Sequence, residues 1–173
     1  MVQKVKRNKT PQEALASLMR LCARSERSSG DALRLMRGWG VSDADAREVL
    51  SRLTKERFID DSRYAEAFVR DKIRLSGWGE RKISAALRAK AIAPQIIDKA
   101  IRQEAQTDMH ERLATLLARR VRTLKYRSVG DARQKLLRYA LSAGYDFSTA
   151  IDCVEQCTKC LATDKDDDEQ QLF

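Results

Sequence analysis

The chain has 173 residues, of which 34% are charged, and a net charge of +9. No apolar run approaches the roughly 20 residues that span a bilayer, and no apolar stretch follows the basic amino terminus, so neither a membrane protein nor a secreted one is expected. Four cysteines without a secretion signal fit a reducing compartment, which predicts a cytoplasmic location.

The first predicted module covers residues 10–58 and contains three helices. Thr10 is followed directly by Pro11, and Glu13 lies three residues after Thr10. This is the pattern of a capped helix start. Ser28 is expected to cap a second helix that ends in a glycine turn around Trp39. Ser42 starts a third helix whose apolar residues recur on one face.

The second predicted module covers residues 59–106 and repeats this plan. Asp60 is expected to cap a helix that stops at the glycine turn around Trp78. A short basic helix follows, with Ile83 on its apolar face, and a third helix begins after Pro94.

The third predicted module covers residues 107–162, and the flanking segments 1–9 and 163–173 are expected to be flexible. Its helices carry apolar residues at helical spacing, and no segment alternates with the period of a strand. The predicted fold class is therefore all-α, with three tandem three-helix modules that resemble helix-turn-helix repeats.

A glycine followed by an acid opens the middle helix of each module. The copies begin at Gly30, Gly79 and Gly130, which are 49 and 51 residues apart. A sustained period of this size indicates a repeat architecture. Because modules of about 50 residues bury little core alone, they must share apolar faces, which predicts an elongated, curved body.

Positive charge is unevenly placed along the chain. The stretch from Arg112 to Arg138 holds nine basic residues and one acid, whereas residues 164–169 hold five acids and one lysine. A body of this charge attracts polyanions, nucleic acid first among them. Helical spacing predicts a basic surface for DNA or a partner made of Lys72, Arg74, Arg81, Lys82, Arg88, Arg112, Arg119, Arg122, Arg133, Lys135 and Arg138. The alternative is that each of these residues only keeps a helix exterior solvated.

Other patterns favour structural roles over chemistry. Asp60 and Asp61 are adjacent acids at a helix start, where carboxylates usually act as caps. Cys153, Cys157 and Cys160 match the spacing of an iron–sulfur loop, but they share one helix face, where core packing is the better interpretation. The single histidine, His110, leaves zinc short of ligands. No cofactor, no metal and no enzymatic activity are expected.

Two features remain open between binding and structure. Trp39 and Trp78 could stack on bases or anchor a partner, and we favour packing between helices. The acidic segment from 164 to 173 is either a solubilising end or a segment that folds over the basic body and competes with DNA.

The stretch from Leu53 to Ile101 resembles the central part of the RecX family. The resemblance rests on an apolar residue, an acidic pair and an arginine-aromatic-alanine string, followed by a glycine turn before a basic helix. The matching residues are Ile59, Asp60, Asp61, Arg63, Tyr64, Ala65, Gly77, Gly79, Ile83 and Leu87. One departure is Ala91, where the family usually has glycine, and this substitution is expected to alter a helix end.

The resemblance implies a regulator of the RecA recombinase that acts in DNA repair, recombination and the SOS response. Such a protein would lodge in the groove of the RecA filament and restrain filament growth, ATP hydrolysis and recombination, without being an enzyme. It would bind single- or double-stranded DNA weakly or through the filament, would not bind membranes and would be a monomer. The alternative is a helical-repeat protein that binds DNA or RNA directly.

Overall fold

A computed structural model describes residues 8–104 and 109–169, and these residues form helices and connecting turns without any strand. The described part contains nine α-helices: α1 Pro11–Cys22, α2 Ser29–Gly38, α3 Asp43–Lys55, α4 Asp61–Ser76, α5 Glu80–Arg88, α6 Pro94–Glu104, α7 Met109–Val121, α8 Val129–Ala143 and α9 Phe147–Glu169. The all-α fold class and the expected order of helices are confirmed.

Side-chain caps begin the helices where the sequence predicts them. Thr10 closes a capping box at the start of α1. Ser28 accepts a hydrogen bond from the backbone N–H of Asp31 at 3.1 Å, and Ser128 accepts one from Asp131 at 3.2 Å. The caps before the first and third glycine–acid copies therefore make the same local structure, each satisfying an N–H that the helix leaves open.

The chain divides into two compact units, each with its own packing. The first comprises Met1–Phe68 and Ala86–Ala100. Here α1 and α2 pack on α3, and their apolar faces enclose fully buried side chains, among them Leu18, Met36 and Leu53.

The second unit comprises Val69–Ala85 and Ile101–Phe173. Its centre is a bundle of α7, α8 and α9 around buried side chains that include Leu113, Leu117 and Leu136. We call this group of helices the third bundle, because it corresponds to the third predicted module.

The units do not coincide with the three predicted modules. Residues of the middle module are divided between the units, with Val69–Ala85 in the second and Ala86–Ala100 in the first. Since a segment of about 50 residues buries little core alone, the middle helices are expected to share apolar contacts with the rest of the unit to which each belongs. The module boundaries at 58 and 106 remain predictions.

The repeated glycines at the starts of α2 and α5 each lie against the end of another helix in the same unit. A Cβ on Gly79 would lie 2.5 Å from the carbonyl group of Gly144, and a Cβ on Gly30 would collide with the carbonyl oxygen of Lys90. The third copy is different, because a Cβ on Gly130 would meet only the hydroxyl of the neighbouring cap, at 3.8 Å. Two of the three glycines thus permit close backbone packing.

The described residues include parts of both segments that are predicted to be flexible, and their flexibility remains a prediction. Helix α9 runs to Glu169, into the segment expected to be flexible from 163 onward, because an existing helix extends at little cost per residue. At the other end, the N–H of Lys9 donates to the carbonyl of Trp39 at 3.0 Å. Residues 1–7 and 170–173 lie outside the described part. Within that part, no helix has the length and apolar character needed to span a bilayer.

Candidate partner-binding surface

Helix α7 carries the densest positive charge of the third bundle. Its apolar side is anchored by Leu113 and Leu117, both fully buried. Arg112 and Arg119 lie on the other side of the helix, as the helical spacing predicts, with Arg112 partly buried and Arg119 exposed. Arg122 follows the helix and is also exposed, whereas Arg120 is one to two turns beyond the two leucines on their own side.

A cleft of about 310 Å³ lies between the end of α4 and α7 and brings together three of the predicted cations, Arg74, Arg112 and Arg119. Arg74 is ion-paired with Glu104 at 3.3 Å. Leu75 lines the same cleft and is 83% exposed. Charged and apolar side chains together suit a protein segment better than a bare phosphate.

Tyr145 also lines this cleft. Burial raises the pKa of its phenol, and the positive charge of Arg112 acts in the opposite direction. Because the ordinary value is already near 10, the phenol is neutral at physiological pH and remains able to donate a hydrogen bond.

A more open depression lies between α7 and α8, and four cations line it: Arg120, Lys125, Lys135 and Arg138. We call this surface the basic basin. Lys135 and Arg138 were predicted from the sequence, whereas Arg120 and Lys125 were missed. The density of basic residues after Arg112 was the signal that could have included them.

Asp131 is the acid that forms an ion pair with a cation of the basin among the described side chains. Lys135 donates to the carboxylate of Asp131 at 2.8 Å and to the carbonyl of Lys125 at 2.9 Å. The hydrogen bond from Lys135 lowers the pKa of Asp131, and the N–H of Arg127 adds to the effect. Asp131 is therefore ionised at neutral pH and offsets one of the four positive charges.

The two arginines of the basin differ in how they are held. The guanidinium of Arg120 lies 5.3 Å from the ring centroid of Tyr139, a cation–π contact that restricts its position. Arg138, which directly precedes Tyr139 in α8, is exposed. Guanidinium groups suit bidentate contacts to phosphates or carboxylates, so both are candidates for direct binding.

Lys72 and Lys82 are placed against Trp78 rather than in either depression. Their ammonium nitrogens lie 4.8 Å and 4.5 Å from the centroid of the Trp78 ring. Because these lysines approach the ring, the arrangement favours a packing role for Trp78 over base stacking. Trp39 packs against the core of the first unit.

The remaining predicted cations are dispersed. Arg133 is ion-paired with Glu155 on α9. Arg81 is exposed at the start of α5, and Arg88 at its end belongs to the first unit. Arg122 is exposed but lines neither the cleft nor the basin. The predicted surface is thus brought together in part.

The acidic pair of the family motif has structural partners at the start of α4. Asp60 accepts from the N–H of Arg63 at 3.1 Å, as a helix cap does. Asp61 accepts from the N–H of Ser29 at 2.8 Å. Arg63 makes two hydrogen bonds to Glu26, at 2.7 Å and 3.1 Å. These carboxylates hold backbone and helix ends in place.

Tyr64 and Lys90 belong to a second structural group in the first unit. The ammonium of Lys90 lies 5.5 Å from the Tyr64 ring centroid and 2.9 Å from a carboxylate oxygen of Asp31. Burial opposes ionisation of Asp31, but the hydrogen bond from Lys90 and nearby positive charges lower the pKa of Asp31 below its ordinary value. The pair therefore stays ionised and links α2 to the end of α5.

The small residues of the motif occupy confined positions. Ala65 is fully buried. Gly77 has φ +62°, a conformation that favours glycine, and a Cβ there would touch Leu116 at 3.0 Å. Ala91, which departs from the family pattern, also has a left-handed backbone, with φ +59°.

The cysteines lie in packing positions. Cys153 is 1% exposed and belongs to the core of the third bundle, and Cys157 packs against that core. The sulfur of Cys153 lies 3.2 Å from Nδ1 of His110. No group of three or more His, Cys, Asp or Glu side chains in the described part could hold a metal ion. The side chain of Cys160 lies outside that part.

Comparison with known proteins connects this arrangement to one family. The family domain described as "RecX, second three-helix domain" matches residues 60–101. A protein named "Regulatory protein RecX" from Lactococcus lactis is 30% identical over 131 residues, which cover 73% of this chain and 47% of that protein. The chain thus spans about half the length of this relative and of a namesake from Oceanobacillus iheyensis, of which it covers 54%.

A relative whose length is closer to that of this chain decides the family to which the chain belongs. "Regulatory protein RecX" from Thermus thermophilus is 36% identical over 117 residues, covering 68% of this chain and 78% of the relative. The chain belongs to the RecX family. The crystal structure of RecX from Lactobacillus salivarius has the same fold, with a TM-score of 0.69 at 19% identity over 85% of this chain and 96% of that one. A second RecX crystal structure, 24% identical over 80% of this chain and 70% of that one, has a TM-score of 0.63.

Proposed function

We propose that the chain is a regulatory protein that binds the RecA recombinase filament on DNA and restrains filament growth, ATP hydrolysis and recombination. Membership of the RecX family and the names of the relatives support a regulatory role. In this proposal the protein acts in the cytoplasm as a monomer, and DNA is engaged weakly or through the filament.

The basic basin is the observation that carries the proposal. Four cations surround one depression, with Asp131 as the acid that pairs there among the described side chains. A protein filament wrapped on DNA presents phosphates and acidic side chains, and a surface of excess positive charge is steered toward both. The basin would therefore contact the nucleoprotein filament, and the α4–α7 cleft, with exposed Leu75, would add a contact to protein.

Direct binding to DNA or RNA is the second candidate, because the same basin suits a bare phosphate backbone. Two hydroxyl-bearing residues, Thr123 and Ser142, line it beside the cations. Their hydroxyls donate to the carbonyls of Arg120 and Tyr139 and would rotate away from these to bond a phosphate oxygen. The two functions differ in their readouts. A direct binder has a steeply salt-dependent affinity for nucleic acid alone. A regulator instead changes the ATPase rate of RecA at substoichiometric amounts.

The test is a titration of RecA's DNA-dependent ATPase with the wild-type chain and the double variant Arg120→Glu/Arg138→Glu. The wild type should lower the ATPase rate at substoichiometric amounts. Because charge reversal in the basin creates repulsion, the variant should require at least about tenfold more protein for the same effect.

The matched control is Arg37→Glu/Arg47→Glu, which changes net charge equally at exposed positions of the first unit. This control should act like the wild type, and thermal unfolding should show that all three proteins fold. Equal loss in both variants would remove the basin from the site. A wild type that leaves RecA unaffected yet binds DNA tightly at low salt would establish the second candidate.

A further inference from the structure

The direction of α9 determines at which end of the third bundle this helix leaves it. Cys153, near the start of α9, lies 3.2 Å from His110, near the start of α7. Arg133, early in α8, is paired with Glu155. Thus α9 runs alongside α7 in the same direction and antiparallel to α8, and it leaves the bundle where the α7–α8 connection lies.

Counting residues along α7 and α9 shows how far along the bundle the acidic residues begin. His110 and Cys153 are in contact, and Val121 and Asp164 each follow eleven residues later. At about 1.5 Å per residue, both positions lie roughly 16 Å along the bundle from the contact. The acidic run, residues 164–169, therefore begins beside the end of α7.

The end of the third bundle that meets this acidic run is strongly basic. The connection between α7 and α8 carries Arg122, Lys125 and Arg127, and all three are exposed. Lys125 also belongs to the basic basin. Residues 164–169 hold five acids and one lysine, so opposite charges are brought to the same end of the bundle.

We propose that the acidic segment, residues 164–169, docks on this basic end and competes with phosphate groups for it. The inference rests on the proposed function in one respect, because the surface that the segment covers includes part of the basic basin. The segment is covalently attached, so its effective concentration at the surface is high, and a weak contact suffices to reduce binding of a polyanion. Salt weakens the contact because exposed charges are screened within about 10 Å at 0.1 M ionic strength.

The first experiment neutralises the segment without shortening it. The tail variant replaces its carboxylates by amides: Asp164→Asn, Asp166→Asn, Asp167→Asn, Asp168→Asn and Glu169→Gln. Binding of a fluorescent oligodeoxythymidylate to the full chain is measured by anisotropy at low and moderate salt. The tail variant should bind about five- to tenfold more tightly than the wild type at low salt, and the difference should shrink as salt rises.

A control separates docking from a simple change in net charge. It neutralises five acids in other parts of the chain that take part in none of the ion pairs among the described side chains: Asp43→Asn, Glu48→Gln, Glu66→Gln, Asp71→Asn and Asp98→Asn. This control should bind the oligonucleotide less than about twofold more tightly than the wild type. Equal gains in the control and the tail variant would overturn the proposal.

A second pair of proteins tests where the segment docks. In a background with Arg122→Gln, Lys125→Gln and Arg127→Gln, the tail replacements should produce no further gain in affinity, since their docking surface is gone. A full gain in that background would show that the segment acts elsewhere, contrary to the proposal.

Failure of the docking proposal can be distinguished from failure of the proposed function. A tail effect on oligonucleotide affinity without any effect of the chain on RecA's ATPase would keep this inference and refute the proposed function. Inhibition of RecA by the wild type with unchanged oligonucleotide affinity in the tail variant would do the reverse.

Discussion

Ala91 adopts a backbone conformation that its side chain disfavours. Its φ is +59°, in the left-handed region, where a Cβ is crowded by the following carbonyl. The family resemblance expects glycine at this position, and the structure supplies the physical reason. The residue follows α5 and lies in the turn that packs on Gly30, so the turn must keep its shape. The backbone strain at Ala91 is therefore retained in the folded state.

The variant Ala91→Gly should stabilise the chain by about 1 kcal/mol, because glycine adopts this conformation without strain. Urea unfolding followed by circular dichroism measures the change. The matched control is Ala16→Gly, an exposed position in the middle of α1, where glycine should destabilise by about 1 kcal/mol. Loss of stability in Ala91→Gly would show that the alanine is not strained.

At this scale the sequence predicts which side of a helix a cation occupies, but not what faces it. Helical spacing correctly separates Arg119 from buried Leu117. It cannot reveal that Arg133 meets Glu155 whereas Arg138 faces the open basin, because both depend on a neighbouring helix. For the same reason Arg120 was missed, since its ring partner Tyr139 belongs to α8.

Helices begin and end in this chain through local signals, which is why their order could be predicted. The serine caps at Ser28 and Ser128 and the glycine turns near Trp39 and Trp78 act within a few residues. The extent of α9 could not be predicted this way, since it has no breaker before Glu169. The contact between the start of α5 and the end of α8 likewise depends on residues far apart in the chain.

This helix-end contact gives a direct test at Gly79. The variant Gly79→Ala would place a Cβ 2.5 Å from backbone atoms of Gly144 that cannot move independently. Overpacking of this kind should destabilise the second unit by about 2–3 kcal/mol, measured by urea unfolding. The variant Gly130→Ala is the matched control at the equivalent repeat position, where a Cβ finds space. It should be neutral or stabilising by up to about 1 kcal/mol, and equal destabilisation of both variants would contradict the packing argument.

The charge of the molecule as a whole determines how its binding responds to salt. The net charge of +9 combines a basic body with an acidic end. If the basic basin contacts phosphates in the filament, binding releases counterions, and log affinity falls linearly with log salt concentration. The elongated, curved shape inferred from the repeat remains a prediction.

The variant Arg120→Gln/Arg138→Gln should make the salt dependence of binding to a RecA–DNA filament shallower by about 1.5 in the log–log slope, since each lost phosphate contact contributes roughly 0.7–0.9. Co-sedimentation with filaments across a salt series measures the slope. Arg37→Gln/Arg47→Gln provides the control. An unchanged slope in the basin variant, together with weaker binding, would mean that these arginines contact protein instead of phosphate.

The division of the middle helices between two units limits how the chain can be cut for study. A fragment that starts at residue 59 and stops at residue 106 separates Val69–Ala85 and Ala86–Ala100 from the rest of the units to which they belong. Recombinant pieces designed from the repeat period would divide both units, so they are expected to expose apolar surface and to aggregate.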